Sequence, residues 1–165
     1  MKTTFTMPDD TSIAYERAFR APASEVWRAY TDPEIVRTWL LGPNPETRFP
    51  VCEMDMRPGG SFRWVWVDDD GELEIAGEVL EAEESSRLVS TERMGGSAMG
   101  GMDLPPTHNV VTFVEADGVT TMRTVITYPS KEMRDGAYAS GMAEGIDAGF
   151  DRLDTAFAGA PSTER

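Results

Sequence analysis

Few side chains in this sequence could carry proton-transfer or covalent chemistry, and they lie far apart. His108 is the sole histidine and Cys52 the sole cysteine. An imidazole titrates near neutrality, so His108, just after Pro105-Pro106, is a candidate general acid or base. The plainer reading is an exposed or hydrogen-bonded residue at the start of a strand. Phase along strand and helix makes His108, Glu92, Tyr128 and Tyr138 the plausible inward-pointing polar groups, and Glu92, Tyr128 and His108 are the candidate polar anchors for a ligand. Glu53, Asp55 and Arg57 alternate opposite Cys52, Met54 and Met56. A buried carboxylate pair there could do acid–base work, but a solvated face with weak ion pairs is the simpler reading. Acidic neighbours disfavour the thiolate of Cys52, which argues against a nucleophile. One histidine and one cysteine cannot supply a typical zinc site. The chain has no phosphate-binding glycine loop and no Gly-x-Ser-x-Gly turn. No metal and no cofactor are expected, and no catalytic set can be named.

The stronger signal is apolar. Phe62, Trp64 and Trp66 alternate along one strand, and the chain holds ten methionines. Methionine and tryptophan suit a pocket for varied apolar or aromatic molecules, although the same residues also make ordinary cores. The expected lining is Phe62, Trp64, Trp66, Ile75 and Met122 from the sheet, with Tyr138, Met142, Gly145, Ile146 and Phe150 from a C-terminal helix. On that helix Ala137, Gly141, Gly145 and Gly149 fall four apart on one line. Each interior glycine costs about 1 kcal/mol relative to alanine. Three cost about 3 kcal/mol, large against a total stability of about 5–15 kcal/mol. Either the backbone packs closely on bulky sheet residues such as Trp64 and Trp66, or the stripe leaves room for a ligand.

These residues need a scaffold. Ser12 to Arg20 reads as a strand. A helix follows from Ala23 to Thr31 behind Pro22, then a short helix from Asp32-Pro33 to Trp39. Leu41 to Pro50 holds three prolines and reads as a loop. Alternating stretches follow at Val51–Arg57, Ser61–Val67, Glu72–Glu81, Arg87–Arg93, Thr107–Glu115 and Val119–Tyr128. Leu73, Ile75, Gly77 and Val79 point inward. Gly95 to Pro106 fits no period yet carries Met99, Met102 and Leu104 after Met94, as a mobile flap over the pocket would. A connection folded back on the sheet is the alternative. Lys131 to Ala158 reads as one unbroken helix of about 40 Å. Its apolar stripe is Tyr138, Met142, Ile146, Phe150, Leu153 and Phe157, and acids at 144, 147, 151 and 154 face solvent. The pattern predicts an α+β helix-grip fold, with about seven antiparallel strands wrapped around that helix.

The chain has 165 residues and a formal charge of −14. It is expected to form one domain, ordered over about residues 11–158. The charge disfavours nucleic acid and anionic membrane as partners. It reads as a solubility device, with an acidic docking face for a basic partner as the alternative. No apolar run spans a membrane. One cysteine and no secretory leader lead to a cytoplasmic expectation. The expected partner is a small apolar molecule, and a homodimer is left open.

Several stretches together are similar to one family. RAFRAPASEVWRAYTDPEIVRTWLLGP (Arg17 to Pro43) resembles the opening of domains like the activator of the heat-shock chaperone ATPase, in the START and birch-pollen-allergen (SRPBCC) superfamily. MDMRPGGSFRW (Met54 to Trp64), GEVLEAEESSRLVSTE (Gly77 to Glu92), the final hairpin and SGMAEGIDAGFDRL resemble its later segments. The resemblance covers about residues 12 to 157. It implies a helix-grip fold and structural roles for Trp39, Asp55, Arg57, Gly59 and Gly60. It implies no common activity: relatives include lipid and hormone carriers, polyketide cyclases and chaperone activators. Three readings follow. The first is a binder of a small apolar or aromatic ligand. The second is a cyclase- or hydrolase-like enzyme on an apolar substrate. The third is a modulator of a heat-shock chaperone ATPase.

Overall fold

A computed structural model describes residues 2–101 and 104–159. The strands are β1 (Thr4–Thr6), β2 (Ser12–Phe19), β3 (Arg48–Met54), β4 (Ser61–Asp68), β5 (Gly71–Glu83), β6 (Arg87–Gly95), β7 (Thr107–Ala116) and β8 (Val119–Thr127). Helices α1 (Ala23–Thr31) and α2 (Pro33–Trp39) follow β2, and α3 (Lys131–Ala139) and α4 (Met142–Gly159) end the described chain. The eight strands form one sheet in the order β1-β2-β8-β7-β6-β5-β4-β3, and every neighbour pair is antiparallel. The sheet and the C-terminal helix make the helix-grip fold.

Local chemistry sets the element ends. Asp32 caps α2 by accepting from the Glu34 amide at 3.0 Å, with Pro33 in the first turn. α1 starts after Pro22, whose side chain cannot cap, and Glu115 of β7 takes that role by accepting from the Ala23 amide at 2.7 Å. β3 starts earlier than the proline-rich loop predicts. Pro50 lies inside it, and the β3–β4 register shifts between Arg48 and Val51, the kind of irregularity that lets a strand carry a proline. β1 is absent from the sequence reading because three residues are too few to show a period. It makes the sheet eight-stranded rather than about seven.

The expected single C-terminal helix is two helices. α3 ends at Ser140, whose hydroxyl turns back to donate to the Ala137 carbonyl at 2.6 Å. Gly141 then takes φ +92°, a conformation open to glycine and strained for other residues. The apolar stripe continues in phase across the break, so periodicity cannot reveal it.

The expected solvent face of α4 also needs correcting. Arg17 on β2 points inward and is only 2% exposed. Its guanidinium donates to Asp151 at 2.8 Å and to Asp154, and lies 3.5 Å from Asp147. It also sits 5.8 Å from the ring centres of Phe19 and Phe150. Three of the four expected solvent-facing acids therefore border a buried cation and fasten α4 to β2. Around this clamp the core gathers Phe19, Val26, Trp27, Trp39, Phe113, Met122, Phe150 and Leu153. At the other end Arg134 of α3, 5% exposed, donates to the carbonyls of Asp9 and Ser12.

Candidate functional site

The inward face of β4 builds one wall of the site. Phe62 pairs with Gly77, Trp64 with Ile75 and Trp66 with Leu73, and partners in an antiparallel pair share a face. Rings of Phe62 and Trp64 lie 4.7 Å apart, and those of Trp64 and Trp66 lie 6.2 Å apart. The Trp66 indole donates to the Leu40 carbonyl at 2.7 Å and its ring stacks on Phe49 at 4.9 Å. The Trp64 indole nitrogen is buried with no hydrogen-bond partner among the described residues. On the opposite face of β4, Val65 is also buried, at 2% exposure.

Across from this wall stand α4 and the loop after α2, and between them lies a cavity of about 870 Å³. The loop is tied to α4 by Arg152, which donates to the carbonyls of Trp39 at 3.3 Å and Gly42 at 2.8 Å. Trp66, Trp64, Ile75, Met142, Gly145, Ile146 and Phe150 all line the cavity. Other expected lining and anchor residues sit elsewhere, each for a clear reason. Phe62 and Met122 are packed into the core at 3% and 0% exposure. Tyr138 lies beyond the Gly141 break, 40% exposed, with its ring 6.5 Å from Phe5 of β1. His108 is exposed on β7, opposite Thr91 and Thr127. Tyr128 stands beside the cavity rather than in its lining, 3.7 Å from the Met142 sulfur.

Of the three candidate anchors, Glu92 is the one in the cavity wall. Its side chain is partly accessible because the cavity touches it, yet it lies deep in the molecule. Burial pushes its carboxyl up to about 7, against a hydrogen bond from Asn109 that favours the charged form. The Thr107 hydroxyl donates to the Asn109 carbonyl oxygen at 2.8 Å, which leaves the amide nitrogen to face Glu92. Burial also raises Tyr15 and Tyr30, and lifts Tyr128 to about 12, so all three keep their phenolic protons at neutral pH. The deep end is therefore a carboxyl among an amide and phenols, which can hold or exchange one proton.

Tyr15, Tyr30 and Trp39 also line the cavity, beyond the expected lining. Tyr15 carries a signal, since it alternates with Ile13 and Arg17 on the inward face of β2, and Tyr30 stands in the α1 stripe. The loop residues Leu40 to Asn44 carry none. Gly149 settles part of the glycine question: a Cβ there would meet the Trp39 ring and carbonyl at 3.1 Å, so it packs closely, on α2 rather than on the sheet tryptophans. Gly145 has only Pro43 nearby, at 3.8 Å, and borders the open space. Over Gly95 to Pro106, Ser97–Met99 form one 3₁₀ turn. The Ser97 hydroxyl accepts from the Glu72 amide at 2.9 Å, and Ala98 reaches the cavity. Met102 of the expected flap lies outside the described residues. Among the described residues no cluster of acids, histidines or cysteines could hold a metal ion, and no helix is long and apolar enough to cross a membrane.

Comparison with known proteins agrees with this architecture. A crystal structure from Rhodobacter sphaeroides matches with a TM-score of 0.84 at 24% identity, over 97% of this chain and 100% of that one. A Mycobacterium smegmatis protein matches with a TM-score of 0.83 at 25% identity, over 98% and 100%. A protein from the dynemicin biosynthetic locus matches with a TM-score of 0.64 at 23% identity, over 92% of this chain and 48% of its own length. An uncharacterised Schizosaccharomyces pombe protein is 27% identical over 114 residues, and the match spans 69% of this chain but only 29% of the yeast protein. The family model described as activator of Hsp90 ATPase homolog 1-like protein matches residues 20–158. With that match over most of its length, and with a sheet closed on a C-terminal helix, the chain belongs to the activator of Hsp90 ATPase homolog 1-like family.

Proposed function

We propose that this protein binds a small apolar or aromatic molecule in the cavity between β4–β5 and α4. The observation that carries this reading is the cavity itself. At about 870 Å³ it falls within the usual range for small-molecule sites. Aromatic and aliphatic side chains make most of its wall, and Glu92 is the carboxyl at depth. A wall of that kind favours a ligand with an apolar body and one polar end.

The test is direct. Native mass spectrometry of freshly purified protein is expected to show a co-purified small molecule. Phenylnaphthylamine is expected to brighten on entering the cavity, and displacement of that probe ranks other ligands. A protein that carries no adduct and leaves the probe dark removes the reading.

A second reading, catalysis on an apolar substrate in the same cavity, is favoured by one observation. A carboxyl titrating near neutrality is suited to take up and return a proton at the operating pH. Turnover lost in Glu92→Gln, with probe binding retained, would support it.

A further inference from the structure

We infer that the ligand is a lipophilic amine, an aromatic or branched apolar body bearing one protonated nitrogen, seated with that nitrogen against Glu92. This rests on the cavity being a ligand site, and it adds the sign of the ligand's charge. The wall holds three carboxylates, Glu92 at depth and Asp68 and Asp70 near the β4–β5 turn. Among the described residues it holds no lysine, arginine or histidine. The nearby guanidiniums lie outside the lining: Arg17 is held by the acids of α4, and Arg152 by the carbonyls of Trp39 and Gly42 in the wall.

The polar groups set against Glu92 among the described residues are neutral. β7 supplies Asn109 and Thr107. β2 and α1 supply the phenols of Tyr15 and Tyr30, and the residue after β8 supplies that of Tyr128. Ile75, Met142 and Ile146 of β5 and α4 line the same cavity. A buried carboxylate with hydrogen bonds but no counter-charge is costly, and a ligand cation relieves that cost where a neutral ligand does not. Aromatic faces complete the recognition. Tyr15, Tyr30 and Trp39 line the same cavity, so aromatic rings stand available to a cation there besides the carboxylate. An anionic ligand of the same shape meets repulsion from all three acids.

The sign of the pH dependence separates this from the neutral alternative. An amine needs Glu92 charged, so its affinity rises as pH rises through about 7. A ligand that accepts a hydrogen bond from protonated Glu92 shows the reverse. The experiment titrates the full chain with naphthylmethylamine, naphthylmethanol and naphthoic acid by calorimetry. The expected result near pH 8 is amine tighter than alcohol by about tenfold or more, with the acid weakest. That preference shrinks towards pH 6, and Glu92→Gln brings amine and alcohol together. Amine and alcohol within about twofold of each other near pH 8 overturn the inference, as does a preference that grows as pH falls. Full preference retained in a folded Glu92→Gln protein also overturns it. The matched pair on the parent chain needs no variant to fold. If the alcohol binds without discrimination, the inference alone fails. If neither these compounds nor phenylnaphthylamine bind, the cavity reading fails with it.

Discussion

Glu92 shows how one position couples stability to pH. Its carboxyl rises from 4.5 to about 7 on folding because burial penalises the charge. The folded state therefore holds more protons than the unfolded state between those values, and stability falls as pH rises through that window. Below the lower value the two states are equally protonated and the effect vanishes. Glu92→Gln removes the charge and keeps the shape, so it is expected to be more stable than the parent at about pH 8, by of order 2 kcal/mol, and nearly equal at about pH 4. Urea midpoints at the two pH values measure this; a variant less stable at the higher pH would contradict it. Arg17 behaves differently, because its three acids keep contact with water while it does not. Arg17→Met leaves carboxylates that can rehydrate, and the expected loss is about 1–3 kcal/mol, below that of a fully buried pair. Equal stability of parent and variant would show that α4 is held by its apolar face alone.

The elements differ in how openly the chain announces them. β4 alternates cleanly, so its residue order alone aims its tryptophans inward. The α3–α4 break is silent in the sequence, because Gly141 keeps the helical spacing of its neighbours and differs only in φ. Gly141→Ala places a side chain at φ +92° and is expected to lower stability by about 1 kcal/mol or more. Gly145→Ala, with its new methyl 3.8 Å from Pro43, should gain about 1 kcal/mol from helix propensity. Thermal unfolding of the pair tests both signs. Bulk at the same place has another consequence: Gly145→Leu is expected to abolish phenylnaphthylamine uptake, whereas Glu144→Leu, on an exposed residue outside the lining, should bind as the parent does. Equal uptake by both variants would detach the glycine stripe from the cavity.

Across the whole molecule the cavity depends on parts far apart in sequence: β2, the loop after α2, β4–β5, the turn at Ser97–Met99, and α4. That turn is pinned by Ser97 to Glu72 at one point, and its Ala98 borders the cavity. Ligand occupancy is therefore expected to slow amide exchange over residues 97–101, together with the α3–α4 junction at Ser140 and Gly141, which also line the space. Unchanged exchange in both segments alongside proven binding would mean that the ligand enters without engaging either.

Much of this fold follows from local pattern. Seven of the strands, both short helices and the inward set Trp64, Trp66, Ile75, Met142, Ile146 and Phe150 come from period and turn chemistry, because alternation and helical spacing are properties of neighbours along the chain. The family resemblance adds a consistent frame. What pattern does not supply is which inward residues touch empty space and which are packed shut. Phe62 and Trp64 sit two residues apart on the same face, yet one is core and the other cavity wall, because Phe62 faces Gly77 and the packed sheet while Trp64 faces the gap under α4. Likewise Glu92 and His108 are both candidate anchors by residue type. Their difference is the face of the sheet: the β6–β7 register pairs Glu92 with Thr107 and His108 with Thr91, so Glu92 turns towards the cavity and His108 to the outer side. Distances along the chain say nothing of dielectric, and it is the dielectric around Glu92 that moves its proton.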